Sequence, residues 1–128
     1  MRKTKGQIEA AISKALIRFE KEYMGRGPSD ARTYIIQDIV FVRLKGVLTP
    51  AEQKLAQDPE GRMLIKQIRS QLLEGSRALL EEMIRHLTGS EVISLHADIS
   101  TRTGERIIVF TLKDDLEQKL GLSSSAKA

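Results

Sequence analysis

The sequence predicts an α+β fold: a two-layer sandwich in which a four-stranded antiparallel sheet carries its helices on one face. Three observations point there. Apolar residues recur at helical spacing over Lys3–Met24 and again over Pro59–Leu87. Two stretches, Thr33–Lys45 and Ile93–Leu112, are rich in Ile, Val, Phe and Tyr, and each is interrupted by a short turn. The order is helix, glycine, hairpin, then helix, glycine, hairpin, a layout that stacks two hairpins as one sheet. The strand order stays open at this level.

Taken in turn, Lys3–Met24 places Ile8, Ile12, Ala15, Phe19 and Tyr23 on one stripe and leaves Lys14, Arg18, Lys21 and Glu22 for solvent. Gly25 ends the helix as a left-handed cap. Strands follow at Thr33–Ile36 and Ile39–Lys45, with Gln37-Asp38 as the tight connection. In the second of these, Val40, Val42 and Leu44 face one way, and Ile39, Phe41, Arg43 and Lys45 the other. Thr49-Pro50-Ala51-Glu52 is the sharpest local signal, a capping box with proline at the first helical position. It starts a short helix to about Gln57. Asp58-Pro59-Glu60 restarts a long helix to Leu87, with Ile65, Ile68, Leu72, Leu79, Met83 and Leu87 as its core stripe and Gly75-Ser76 completing it. Gly89 closes that helix.

Ile93 to Ser100 alternate strictly, Ile93, Leu95, Ala97 and Ile99 against Ser94, His96, Asp98 and Ser100. Thr101 to Gly104 supply the turn, and Arg106–Leu112 pairs back. Both hairpins keep Ile, Val or Phe on the nominally outer face. A freely solvated sheet face would be more polar, so the second face is expected to be covered by a second copy of the chain, with Ile39, Phe41, Ile107 and Val109 in the contact. The reading is one domain over residues 1–120, with a helical turn or two after Asp114 and a disordered tail over 121–128.

Composition narrows the function classes. The 128 residues suffice for one cored domain without cross-links. The absence of cysteine excludes disulfides and thiolate chemistry and fits a cytoplasmic protein. No apolar run approaches the roughly 20 residues of a membrane span, and no secretory signal is visible, so no direct membrane insertion is expected. With only His86 and His96 available, no metal site is expected within one subunit, and no motif specifies a cofactor.

The net charge of +4 sits at the front: residues 1–26 carry seven Lys or Arg against three Glu, and residues 27–128 carry fourteen of each sign. That helix could rest on an acidic partner, but a solvated face is the simpler reading. Nucleic-acid binding lacks a zinc pattern or an aromatic strand motif and is not expected.

The chemically capable side chains concentrate in two places. Gly25-Arg26-Gly27-Pro28 could turn backbone N–H groups toward an anion, although it matches no phosphate-loop pattern. His96, Asp98 and Ser100 share a strand face at roughly 7 Å intervals. A Ser-His-Asp relay needs hydrogen bonds of about 3 Å, so a polar sheet face or subunit contact is preferred to catalysis. An anion could still be received at the hairpin tip by Arg102 and the Thr103-Gly104 amides. Glu105 and Arg106 after the turn read as exposed pairing partners of little worth.

Taken together, Gly25-Arg26-Gly27-Pro28, the segment Leu44 to Glu52 (LKGVLTPAE) and the S-x-H-x-D-x-S-x-x-T-G-E-R-I-I-V-F-T-L pattern of Ser94–Leu112 resemble a small bacterial domain family. It is the MpsC-like family, named for association with a sodium-translocating, membrane-potential-generating system. The similarity covers about Lys5 to Leu112. It implies a cytoplasmic accessory domain linked to cation or inorganic-carbon transport proteins, and no established reaction. No catalytic residue carries over. Gly25, Arg26, Gly27, Gly46, His96, Asp98, Ser100 and Gly104 stand out as motif positions. Two readings follow: a non-enzymatic, homodimeric accessory module with a membrane transport partner, or a sensor of a small ligand or anion built on the GRGP loop and the His96–Gly104 strand and turn.

Overall fold

A computed structural model describes residues 3–125. The chain runs α1 (Lys5–Tyr23), β1 (Asp30–Ile36), β2 (Ile39–Lys45), α2 (Pro50–Leu55), α3 (Pro59–Gly75), α4 (Arg77–Thr88), β3 (Val92–Ile99), β4 (Arg106–Leu112) and α5 (Leu116–Ser125). The four strands form one antiparallel sheet in the order β1-β2-β4-β3. The two hairpins therefore meet through β2 and β4, and β1 and β3 are the edges.

Local chemistry accounts for most boundaries. Thr4 caps α1 by a reciprocal box, its hydroxyl accepting from the Gln7 N–H at 3.2 Å while the Gln7 side chain accepts from the Thr4 N–H at 2.9 Å. Thr49 and Glu52 form the expected box at the start of α2. Gln37 turns the first hairpin at φ +57°, and Gly104 turns the second at φ +76°. Gly89, at φ +74°, ends α4.

The core lies between the sheet's inner face and α1, α3 and α4. Ile35, Val40, Val42, Leu44, Leu95, Ile108, Phe110 and Leu112 from the strands meet Ile8, Ile12, Leu16 and Phe19 of α1, Ile65 and Leu73 of α3, and Leu80 and Ile84 of α4. Each aliphatic side chain buried this way contributes about 1.5–3 kcal/mol relative to exposure.

Several details differ from the sequence reading. The long helix breaks at Ser76, a poor helix former following glycine, into α3 and α4. Within α3 the buried row is Gly61, Ile65, Arg69 and Leu73, and beyond the break α4 buries Leu80 and Ile84. Ile68, Leu72 and Leu79 are exposed by 43–45% instead of filling the core. In α1 the third core position is filled by Leu16, with Ala15 half-buried, while Tyr23 is 51% exposed and stacks on Phe19. A bulge between Val92 and Ser94 turns Ile93 outward to 62% exposure, although its alternation had placed it inward. Helix α5 runs into the stretch read as a tail from Gly121; residues 126–128 lie outside the described residues.

Candidate functional site

Three charged residues occupy inward positions that their neighbours mark as apolar. Glu20 continues the row Ile8, Ile12, Leu16 along α1; Arg69 lies between Ile65 and Leu73 on α3; Arg106 heads the inward row Ile108, Phe110, Leu112 of β4. All three are at most 2% exposed. Charges taken out of water this far must be paired, and they pair with one another. Arg69 reaches Glu20 at 3.3 Å and grips Glu52 with two prongs at 2.7 and 2.8 Å. Arg106 donates to the other Glu20 oxygen at 3.1 Å and to the Arg69 carbonyl at 3.3 Å. Arg106 is thus a buried structural ion, not the exposed pairing partner the sequence had implied.

The network sets four protonation equilibria. Burial pushes the Glu20 carboxyl above its ordinary value, against the pull of Arg106 and Arg69. Burial acts upward on Glu52 too, but the Arg69 fork and the Thr49 N–H outweigh it and hold Glu52 low. Burial would also weaken Arg69 as a cation; its bonds to Glu52 and the charge of Glu20 outweigh this and raise it. Arg106 is lowered by burial, which Glu20 offsets only in part. Its Nε finds no partner among the described residues.

This network positions a cleft. Arg69 also donates to the Val47 carbonyl at 2.9 Å, and the Val47 N–H donates to the Gly104 carbonyl at 3.0 Å. The Gly46–Leu48 strip is thereby clamped between α3 and the β3–β4 tip. On its outer side opens a cleft of about 640 Å³ lined by Gly46 and Leu48, by Gln53, Ala56 and Gln57 around the end of α2, by Arg62 of α3, and by Thr101 to Gly104. Arg62 is held at the rim by donating to the Ala56 carbonyl at 2.9 Å, and Gln53 donates to the Leu48 carbonyl at 3.2 Å. The close approach of α2 to α3 depends on Gly61, where a Cβ would overlap the Leu55 carbonyl.

The residues singled out from sequence are divided by this geometry. Arg102, Thr103 and Gly104 line the cleft. The Thr103 N–H donates to the Ser100 hydroxyl at 3.2 Å and the Gly104 N–H to the Ser100 carbonyl at 2.8 Å, so these amides close the turn and do not serve an anion as expected. Asp98, Ser100 and Arg102 border a neighbouring shallow groove with Lys66. Asp98 faces the Lys66 ammonium at 3.4 Å and accepts from the Ile99 N–H at 2.8 Å. His96 pairs across the sheet with Val109 on the outer face, away from the cleft.

Gly25, at φ +91°, and Gly27 do not line the cleft, and Arg26 touches only the back of its wall, 3.5 Å from the Leu48 carbonyl. The GRGP loop and the His96–Gly104 segment therefore do not form one site, because a helix cap and a sheet face point in different directions. Ile39, Phe41, Ile107 and Val109 do share the outer sheet face, half-buried, with Phe41 directly beside Val109 and Tyr34. Sequence reasoning missed Gln53, Gln57 and Arg62 in the cleft, which carry no motif. It also missed Glu20 and Arg69, whose signal was a charge interrupting an i, i+4 apolar row.

Among the described residues no helix is long and apolar enough to cross a membrane, and no three His, Cys, Asp or Glu cluster as a metal site would need. A family model described as Na+-translocating membrane potential-generating system (MpsC) matches residues 4–114. The chain is 48% identical over 120 residues to an uncharacterized protein, YbcI, of Bacillus subtilis (strain 168), covering 94% of this chain and 97% of that one. It is 30% identical over 110 residues to a second uncharacterized protein of that strain, YrhF, covering 84% and 89%. No solved structure matches.

Proposed function

Because this chain belongs to the MpsC family, we propose that it is a non-enzymatic, cytoplasmic accessory module of a membrane cation or inorganic-carbon transport system, acting as a homodimer through protein contacts. The observation that carries this reading is the uncovered outer face of the sheet. Its three cross-strand rows are Ile36, Ile39, Thr111 and Ser94; Tyr34, Phe41, Val109 and His96; and Arg32, Arg43, Ile107 and Asp98. Tyr34 and Ile36 are 45% and 51% exposed at the β1 edge. An apolar centre with a charged and polar border is the anatomy of a protein contact, and a face that crosses itself about a two-fold axis closes as a dimer. The exposed Leu64, Ile68 and Leu72 of α3, at i, i+4, i+8 on the opposite layer, leave a second surface for the membrane partner.

The same reading explains the polar strand positions without a reaction. Asp98 and Ser100 engage separate partners, Lys66 and the Thr103 N–H, and no hydroxyl–imidazole–carboxylate relay joins them to His96. The test is Phe41→Glu, which would bury an unpaired carboxylate in the contact. Light scattering on the folded variant should report a monomer where the unaltered chain is a dimer. A Phe41→Glu protein that stays dimeric, or an unaltered chain that is monomeric at concentrations near 0.1 mM, ends the sheet-face assignment. Co-fractionation with membranes should be lost in Ile68→Glu; a variant that still sediments with them removes α3 from the contact.

A further inference from the structure

We propose that the cleft between the end of α2 and the β3–β4 tip binds a small organic phosphate of about nucleotide size. The cleft lies on neither of the apolar surfaces assigned to protein contacts, so this inference stands apart from the dimer. Two guanidinium groups, Arg62 and Arg102, border it, and none of the ten lining residues is acidic. Two guanidinium charges with no carboxylate in the lining attract an anion, and planar guanidinium forks match the oxygens of a phosphate.

The rest of the lining specifies more than a bare ion. Its volume of about 640 Å³ falls within the range of roughly 300–1,000 Å³ typical of small-molecule sites and far exceeds what inorganic phosphate fills. Leu48 supplies apolar surface for an organic body, while Gln53 and Gln57 offer amides to ring or sugar hydroxyls. Arg62 enters already oriented, since one of its nitrogens holds the Ala56 carbonyl and the remaining donors stay available. Arg102 makes no side-chain hydrogen bond or ion pair among the described residues, so it can swing onto a ligand from the opposite rim. The buried Arg69–Glu52–Val47 linkage keeps the walls in place before any ligand arrives, which limits the ordering that binding must impose.

Calorimetric titration of the full chain with adenosine 5′-monophosphate, inorganic phosphate and succinate tests the assignment. Adenosine monophosphate should bind saturably and more tightly than inorganic phosphate, and succinate should bind weakest. Arg102→Gln and Arg62→Gln should each weaken binding about tenfold or more, the loss expected for a charged hydrogen-bond donor. Lys66→Gln, outside this cleft, should leave it unchanged. Arg102 is at an exposed tip, so its variant keeps the fold, to be checked by circular dichroism. No saturable binding of adenosine monophosphate or phosphate overturns the proposal. So does binding indifferent to both arginine variants, binding weakened equally by Lys66→Gln, or succinate binding as tightly as the phosphate ester.

Discussion

Replacing Glu20 by Gln keeps its shape and removes one buried negative charge from between two buried positive ones. Arg69 retains its two-pronged grip on Glu52 at 2.7 and 2.8 Å. Arg106 has no such reserve: Glu20 at 3.1 Å is its one carboxylate partner among the described residues, and its Nε is already unsatisfied. The loss therefore falls on Arg106, as an almost fully buried guanidinium with no counter-charge. Breaking one partner out of a buried pair costs about 3–5 kcal/mol, against a total stability of about 5–15 kcal/mol for a domain. The melting temperature should fall by roughly 10–20 °C at this chain length.

Urea unfolding at pH 7 reads the change directly, provided the slope with denaturant is unaltered. The companion Glu20→Leu/Arg106→Met double variant should recover most of the loss, since replacing both ions by apolar groups of similar size removes the desolvation penalty together with the pair. A Glu20→Gln loss below about 1 kcal/mol, or a double variant no better than Glu20→Gln alone, would show that Glu20 and Arg106 are not coupled as described.

The remaining predictions concern the phase of α3, the corner beneath the cleft and the acid behaviour of Glu52. Ile65→Ala should cost about 2–5 kcal/mol in denaturant unfolding and Ile68→Ala less than about 1 kcal/mol; equal losses would restore the stripe expected from sequence. Gly61→Ala drives a methyl group into the Leu55 carbonyl and should cost about 3 kcal/mol or more; calorimetry showing an unchanged melting temperature would contradict the tight α2–α3 corner.

Glu52 has a depressed folded pKa, so its contribution is present above the unfolded value near 4.5 and is lost as the pH falls through the folded value. Glu52→Gln should therefore lose about 1–3 kcal/mol at pH 7, with the gap to the unaltered chain closing in acid below about pH 4.5. A gap between Glu52→Gln and the unaltered chain that stays constant from pH 7 into the acid range would refute this assignment.

Where local chemistry decides a feature, the sequence and the structure agree closely. The Thr49–Glu52 box, the Gln37-Asp38 turn, β2 and β4 to the residue, and the glycine at the second hairpin all follow from contacts within a few residues. The outer-face quartet Ile39, Phe41, Ile107 and Val109 was legible for the same reason: strand alternation is a two-residue rule. Helix phase was less secure. Leu64, Ile65, Ile68, Leu72 and Leu73 offer α3 two apolar stripes, and periodicity alone does not choose between them.

What the sequence by itself determined was therefore the four strands, the first helices, the α+β class and the resemblance to the family. Only the tertiary structure decided the strand order β1-β2-β4-β3, the phase of α3 that turns Ile68 outward, the break between α3 and α4, and the meeting of Glu20, Glu52, Arg69 and Arg106 from α1, α2, α3 and β4. The last is separated by up to 86 residues between partners. A pairing across that distance leaves no local pattern except a charge standing where an apolar residue is due, and the cleft that the pairing holds open appears only once the four elements are brought together.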